Sequence, residues 1–345
     1  VLTEVLCNLV PPSVAISVHS RRNAASISSW IAADPLRKRI QVSSSWPQLS
    51  SAQSSAVIVV NAAGEHEAAV EHVLAAGVPV LVEKPITLKT VNSQRLADMA
   101  RISHTRFAAA HVFLFARYLE NFRQTVGDTR DIEAVRVLWM DPRFENRHGE
   151  RKQFDPGVPV FADCLPHVSS IIGALAPGLP QTCGGLKFFR GGAHLELDIL
   201  LGAIPCSVQL VRNGERRQRI VEVSAQQGMR QLDFSSEPGR ITCGSTVLNA
   251  DPDWQAGMRP AALMLATFLQ WAAGGQFDRR LDVEIGLQAS RLIEEAWALY
   301  NPARAAWLAG RLADRAELDD DLRYALGEAP QDGSAMAALV DVKQR

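Results

Sequence analysis

The chain opens on alternating apolar and amphipathic stretches. Val1 to Leu9 repeats apolar residues at helical spacing, and Val14 to Val18 is a short apolar run that predicts a strand. Helical spacing returns from Asn23 to Ala33, Arg39 to Val42 is a second strand candidate, and Ala56 to Val60 is a continuous apolar run. Glu67 to Ala76 carries a helical period and stops at Gly77, a usual place for a helix to end. Val78 to Val82, Val91 to Ile102 and Phe107 to Ala110 then predict strand, helix and strand. Near-continuous apolar strands separated by amphipathic helices predict a parallel sheet covered on both faces. Right-handed crossovers bring the C-terminal ends of such strands to one edge, where ligands bind. Asn61, Lys84 and His111 fall at that edge.

The character changes after about residue 113. Ile132 to Trp139 predicts a strand, Asp141 to Asp155 a polar, Arg-rich loop, and Val160 to Leu175 a helix. From Leu186 to Leu248 successive strand-like runs are punctuated by Gly, Pro, Asn and Glu, the pattern of an antiparallel meander. Helical segments follow near Ala261 to Ala273 and Val283 to Tyr300, and the Ala-, Asp- and Arg-rich end predicts a helical or partly disordered tail. The expected division is a parallel α/β domain over 1–112, an α+β domain over 113–300 and a tail over 301–345. The fold class is α/β, with a doubly wound parallel sheet followed by an open, mostly antiparallel sheet.

Composition narrows the function classes. The 345 residues are enough for two cores, and 47% apolar with 21% charged residues is ordinary for a globular protein. A formal net charge of -1 supplies no field for nucleic acid or an anionic membrane. No run approaches the roughly 18 apolar residues of a membrane span. Five cysteines without a C-x-x-C pair argue against a metal or disulfide framework, and the expected setting is a reducing cytoplasm.

Three segments carry candidate chemistry. Glu83-Lys84-Pro85 puts a lysine at the mouth of a buried strand, followed by a proline; the plain alternative is a solvated lysine at a strand end. Asn61-Ala62-Ala63-Gly64-Glu65-His66 ends the strand Ala56 to Val60. Asp163-Cys164-Leu165-Pro166-His167 sets Asp and His four apart on one helical face. That spacing suits an orienting carboxylate and a proton acceptor, although a satisfied helix histidine is the ordinary reading. A metal site at the same pair lacks a third ligand.

In this order the segments resemble the glucose–fructose oxidoreductase / inositol dehydrogenase / MocA (Gfo/Idh/MocA) family. Val57 to Phe115 carries the strand-end segment with its downstream His and the strand with E-K-P, while Asp163 and His167 match the Asp and His of the family's D-x-G-x-H element. Leu165 stands for the usual glycine, Pro166 precedes the histidine, Ala62-Ala63 replaces Pro-Asn, and Asp155 to Pro159 replaces a glycine pair. The resemblance implies a Rossmann-like domain and an NAD(P)-dependent dehydrogenase or reductase acting on a sugar, polyol or related hydroxyl/carbonyl compound. Other implied outcomes are a reductase of an imine or cyclic biosynthetic intermediate, and a catalytically silent member with a binding role.

Lys84, His167 and Asp163 are then the expected catalytic residues. Ser20, Arg21, Arg22, Asn61, His66, Glu83 and Lys84 are expected around the cofactor, Glu83 also reading as a structural neighbour. His111 and Arg147, with His148 and Arg151 nearby, are candidates for substrate contact. Arginine at the end of the strand Val14 to Val18 favours NADP over NAD, because an acidic residue near that position binds the 2′-hydroxyl and arginine accommodates a 2′-phosphate. No Asp or Glu occurs between Glu4 and Asp34. The family's opening strand and G-x-G-x-x-G turn cradle the pyrophosphate. Nothing before Val14 matches them, and Val1 to Leu9 looks like the helix that follows such a turn. The expectation is that strand and turn lie upstream of Val1, against a degenerate cofactor site. A homo-oligomer, dimer or tetramer, is expected from the family; nucleic acid, membrane and metal are not.

Overall fold

The computed structural model describes residues 2–34, 37–52, 56–147, 150–151, 158–255, 259–311 and 315–328. The chain divides into two compact units. One comprises Val1–Thr87, Val91–Ala116 and Trp254–Gly286, and the other comprises Leu88–Thr90, Arg117–Asp253 and Leu287–Arg345. The later segment from Trp254 to Gly286 is part of the first unit.

The first unit alternates helix and strand. In chain order it runs α1 (Leu2–Leu9), β1 (Ile16–His19), α2 (Ala24–Ala32), β2 (Ile40–Ser43), β3 (Val57–Val59), α3 (His66–Ala75), β4 (Val80–Val82), α4 (Thr90–Ile102) and β5 (Phe107–Ala109). All its strand pairs are parallel, in two pieces: β1 with β2, and β3-β4-β5. β4 and β5 are buried at every residue, which is why their sequences read as unbroken apolar runs rather than alternations. A later helix, Pro260–Ala272, completes the core: Met264, Leu265 and Phe268 join Leu81, Ala108 and Phe115, with Leu2, Val5, Leu6 and Leu9 of α1 packed against them.

The second unit is built on one eight-stranded sheet. It begins with α5 (Arg117–Val126), β6 (Ile132–Pro142), the small hairpin β7 (Asn146–Arg147) and β8 (Glu150–Arg151), and α6 (Val160–Leu175). Next come β9 (Gln181–Phe189), β10 (His194–Leu201), β11 (Ile204–Gly214), β12 (Gln218–Ala225), β13 (Gly228–Asp233), β14 (Arg240–Cys243) and β15 (Thr246–Asn249). The helix Pro260–Ala272 is α7, and α8 (Val283–Arg311) and α9 (Arg315–Leu326) follow. The order is β15-β14-β13-β12-β6-β11-β10-β9. Every pairing is antiparallel except β6 with β11, so the expected meander is interrupted by a parallel crossover at its centre.

α8 runs beyond the expected stop at Tyr300, through Pro302. An internal proline removes a backbone hydrogen bond, but ring contacts span the position. Phe188 lies 5.3 Å from both Tyr300 and Trp307, ring centre to centre. α9 then docks on the sheet through Arg190 to Asp321 and through the Asn213 amide, which donates to the Tyr324 and Ala325 carbonyls.

Candidate active site

Strand register sets the candidate residues of the first unit. Val59 pairs with Val82, and Val82 with Ala109. Asn61, Lys84 and His111 each lie two residues beyond those partners, so they form a row across the C-terminal edge of β3-β4-β5. The ladder continues into this edge, since the Glu83 N–H donates to the Val59 carbonyl at 2.8 Å and the Ala110 N–H to the Val82 carbonyl at 2.8 Å. Asn61 is exposed, Glu83 and Lys84 are half-buried, and His111 is buried. The Glu83 carboxylate accepts the Lys84 backbone N–H at 3.3 Å, and the Lys84–Pro85 peptide is cis.

His66 ties this edge together. It opens α3, is 1% exposed, and its ring nitrogens face two backbone carbonyls: Nδ1 lies 2.8 Å from Pro85 O and Nε2 lies 3.0 Å from Asn61 O. Both polar atoms of this expected cofactor ligand are thus turned to the protein's own backbone. Just behind, Gly286 at the start of α8 leaves room for Ile86 and Ala109; a Cβ there would sit 2.6 Å from Ile86 Cδ1 and 3.0 Å from Ala109 Cβ.

Ser20, Arg21 and Arg22 follow β1. The Ser20 hydroxyl accepts the Asn23 N–H at 3.2 Å, opening the turn into α2. Both guanidinium groups reach Glu65, Arg22 at 3.3 Å and Arg21 at 3.8 Å. Their side chains remain 66% and 80% exposed for Arg21 and Arg22, so the pairing is worth only a few tenths of a kcal/mol to about 1. The end of β1 and the segment after β3 therefore meet within one unit, with Glu65 as the link. Positive charge thus lies after β1, on exposed guanidinium groups, and after β4, on the half-buried Lys84. Among the described residues no G-x-G-x-x-G turn joins them, and Gly64, the one glycine of the strand-end segment, has open space around it.

The second unit holds the other expected pair. α6 is buried along almost its whole length, yet Asp163 and His167 are only half-buried and, four residues apart, share one face. The apolar remainder, including Phe161, Leu165, Ile171 and Ile172, fixes the helix against its surroundings. The His167 ring stacks on the Trp139 indole, with centroids 5.4 Å apart and planes inclined by 16°. Arg219 lies over the same indole at 4.0 Å and forms an ion pair with Asp141. Burial pulls the Arg219 guanidinium below its ordinary value, and the Asp141 charge works in the opposite direction. Arg147 and Arg151 fall on the β7-β8 hairpin, and His148 lies outside the described residues. Among the described residues no cluster of three His, Cys, Asp or Glu side chains could hold a metal ion.

Three participants escaped sequence reasoning: Glu65, Trp139 and Arg219. Arg219 left a signal, because it stands in the inward phase of β12 with Val221 and Val223. An arginine in an apolar phase requires a buried partner.

Residues 14–111 match the family model described as "Oxidoreductase family, NAD-binding Rossmann fold", GFO_IDH_MocA. Over this stretch the chain is similar to the Gfo/Idh/MocA oxidoreductases. Within that family, the curated UDP-N-acetylglucosamine 3-dehydrogenase of Acidithiobacillus ferrooxidans is 34% identical over 93 residues, which cover 27% of this chain and 30% of that protein. The aligned stretch is thus under a third of the relative's length. The solved structure of the same bacterium's UDP-N-acetylglucosamine 3-dehydrogenase superposes with a TM-score of 0.66 at 19% identity, over 88% of this chain and 93% of that one. A 3-ketoreductase from Actinomadura kijaniata, in complex with NADP and TDP-benzene, gives 0.65 at 15% identity, over 86% and 92%. At such identities the likeness is one of fold. No helix among the described residues is long and apolar enough to cross a membrane.

Proposed function

We propose that the protein is an NAD(P)-dependent oxidoreductase acting on a hydroxyl- or carbonyl-bearing sugar, with a nucleotide-linked sugar as the first class to test. The observation that carries this reading is the row Asn61, Lys84, His111, set by strand register on the C-terminal edge of a segment that matches an NAD-binding Rossmann family. The sugar class comes from the relatives, one a UDP-N-acetylglucosamine 3-dehydrogenase and the other a 3-ketoreductase held with a TDP compound.

When bound, the nicotinamide supplies C4 as hydride acceptor or donor. The Lys84 ammonium donates a hydrogen bond to the substrate oxygen, where charge develops as the carbon changes oxidation level. His167 takes the hydroxyl proton during oxidation and returns it during reduction, and Asp163 orients it. Ser20, Arg21 and Arg22 receive the adenosine ribose, the arginines favouring a 2′-phosphate. Arg147 contacts substrate, whereas His111, 1% exposed, supports the edge from within. A cytoplasmic homo-oligomer belongs to the same proposal; its cellular setting is supported by five cysteines that are all free.

Titrating NADPH and NADH by fluorescence, then following absorbance with UDP- and TDP-linked sugars, free sugars and polyols, tests the reading. NADPH is expected to bind more tightly than NADH. Lys84→Ala is expected to lower kcat by about 10²–10³, the usual cost of losing one donor to a developing oxyanion, with coenzyme affinity little changed. Failure of either coenzyme to bind, or near-normal turnover in Lys84→Ala, refutes it.

A further inference from the structure

We propose that Trp139 is a positioning residue for His167, with Arg219 and Asp141 holding the indole in place. The role in turnover rests on the function proposed above; the geometry does not. An imidazole on a helix turns about its last side-chain torsion through a broad, roughly two-fold well, so a ring contact that fixes its plane adds to whatever its nitrogens meet. Here the His167 ring lies 5.4 Å from the indole with the planes 16° from parallel. This near-parallel contact selects one ring plane while leaving His167 half-exposed.

The indole is itself fixed on several sides. Trp139 stands opposite Arg219 in the β6-β12 ladder, so the two side chains rise from one face of the sheet. The Arg219 guanidinium carbon sits 4.0 Å from the indole centre. Its nitrogens are tied to Asp141, to the Met140 carbonyl and, at 2.8 Å, to the Gln218 carbonyl. Phe234 meets the indole edge-on at 6.3 Å and is stacked by Tyr118 of α5 at 5.5 Å. Arg219 is only 2% exposed and Trp139 4%, so a costly buried cation is spent where an apolar residue would pack without desolvation. What the cation adds is a rigid, electrostatically matched support for one indole orientation. The Asp141–Arg219–Trp139 series therefore ends on the half-exposed imidazole.

The test uses the full chain with 13Cε1-labelled histidine, the His167 signal being assigned by its loss in His167→Gln. In the wild type that Hε1 proton is expected upfield of its random-coil position, shielded by the indole; an unshifted signal overturns the proposal, with His167→Gln the one variant that must fold for the assignment. Trp139→Leu is expected to return the signal downfield, and Trp139→Phe to keep part of the displacement. An unchanged shift in Trp139→Leu overturns it as well. In turnover, Trp139→Leu should lower kcat roughly two- to tenfold, the population bias of one aromatic pair, with KM little changed, and Trp139→Phe should recover most of the loss. Equal losses in the two variants, or full activity in Trp139→Leu, overturn the positioning role. If His167→Gln itself retains turnover, the assignment of His167 to catalysis fails, and the spectra still report whether the indole orients its ring.

Discussion

Replacing His66 by alanine removes a side chain that holds both the end of β3 and the segment after β4. The imidazole is 1% exposed, with its nitrogens 2.8 Å from Pro85 O and 3.0 Å from Asn61 O. A neutral ring donates to one of these carbonyls at a time, an imidazolium to both. Counting one donated bond at about 1 kcal/mol, and a carbonyl left buried without it at about 1–3 kcal/mol, gives a loss of roughly 2–4 kcal/mol. His72, six residues further along the same helix, is the control. It makes one exposed contact, 3.0 Å to Pro47 O, and a tilted ring contact with Trp46 at 5.2 Å, so His72→Ala should cost about 1 kcal/mol or less. Urea unfolding followed by intrinsic fluorescence and far-UV circular dichroism, with the three proteins side by side, measures both. With a slope of about 1–3 kcal/mol per molar urea, His66→Ala should unfold roughly 1–2 M earlier than wild type and His72→Ala close to it. Equal midpoints for the two variants would refute the bridging role of His66.

Two further outcomes are expected. His194 is held below its ordinary value chiefly by burial, against a smaller opposing effect of Glu196. The unfolded chain therefore takes up its proton first as pH falls from about 6.5, and stability declines below that point; His194→Gln should flatten the urea midpoint between pH 7 and 5, and an unchanged slope would count against the argument. Gly286→Val places a branched side chain where a Cβ alone would already lie 2.6 Å from Ile86 Cδ1. Overpacking should cost about 1–3 kcal/mol and lower turnover by displacing the row beside it, so a variant as stable and active as wild type would show that this contact is slack.

The parallel strands and their helices were legible because burial on both faces, or on one, writes a period into the chain. Val160–Leu175 is visible as a helix for that reason, and Asp163 and His167 could be placed on one face by arithmetic. The row Asn61, Lys84, His111 was equally accessible, since it needs only strand ends and a common direction. What escaped is nonlocal. That α7 packs with Leu81 and Phe115 depends on a chain return that no periodicity encodes. Arg21 and Arg22 read only as cofactor contacts, because their partner, Glu65, comes from beyond β3. His66 read as a helix-edge residue facing a ligand, whereas the fold brings Pro85 and Asn61 to its two nitrogens. Trp139 looked like ordinary strand core, and its significance appears only with the imidazole and guanidinium beside it.

Among the described residues the parallel pairing of β6 with β11 stands at the centre of an otherwise antiparallel sheet. Both neighbours of β6, β11 and β12, come from about seventy to ninety residues further along the chain, Val135 pairing with Cys206 on one side and Val223 on the other. A parallel pair cannot be closed by a hairpin and needs a crossover. The middle of the sheet therefore forms only after a long loop has closed, while β9-β10-β11 and β12-β13-β14-β15 are joined by short local turns. Long-range pairing of this kind is slow. The strand that carries Trp139 is thus the one whose placement sets the pace at which the second unit folds.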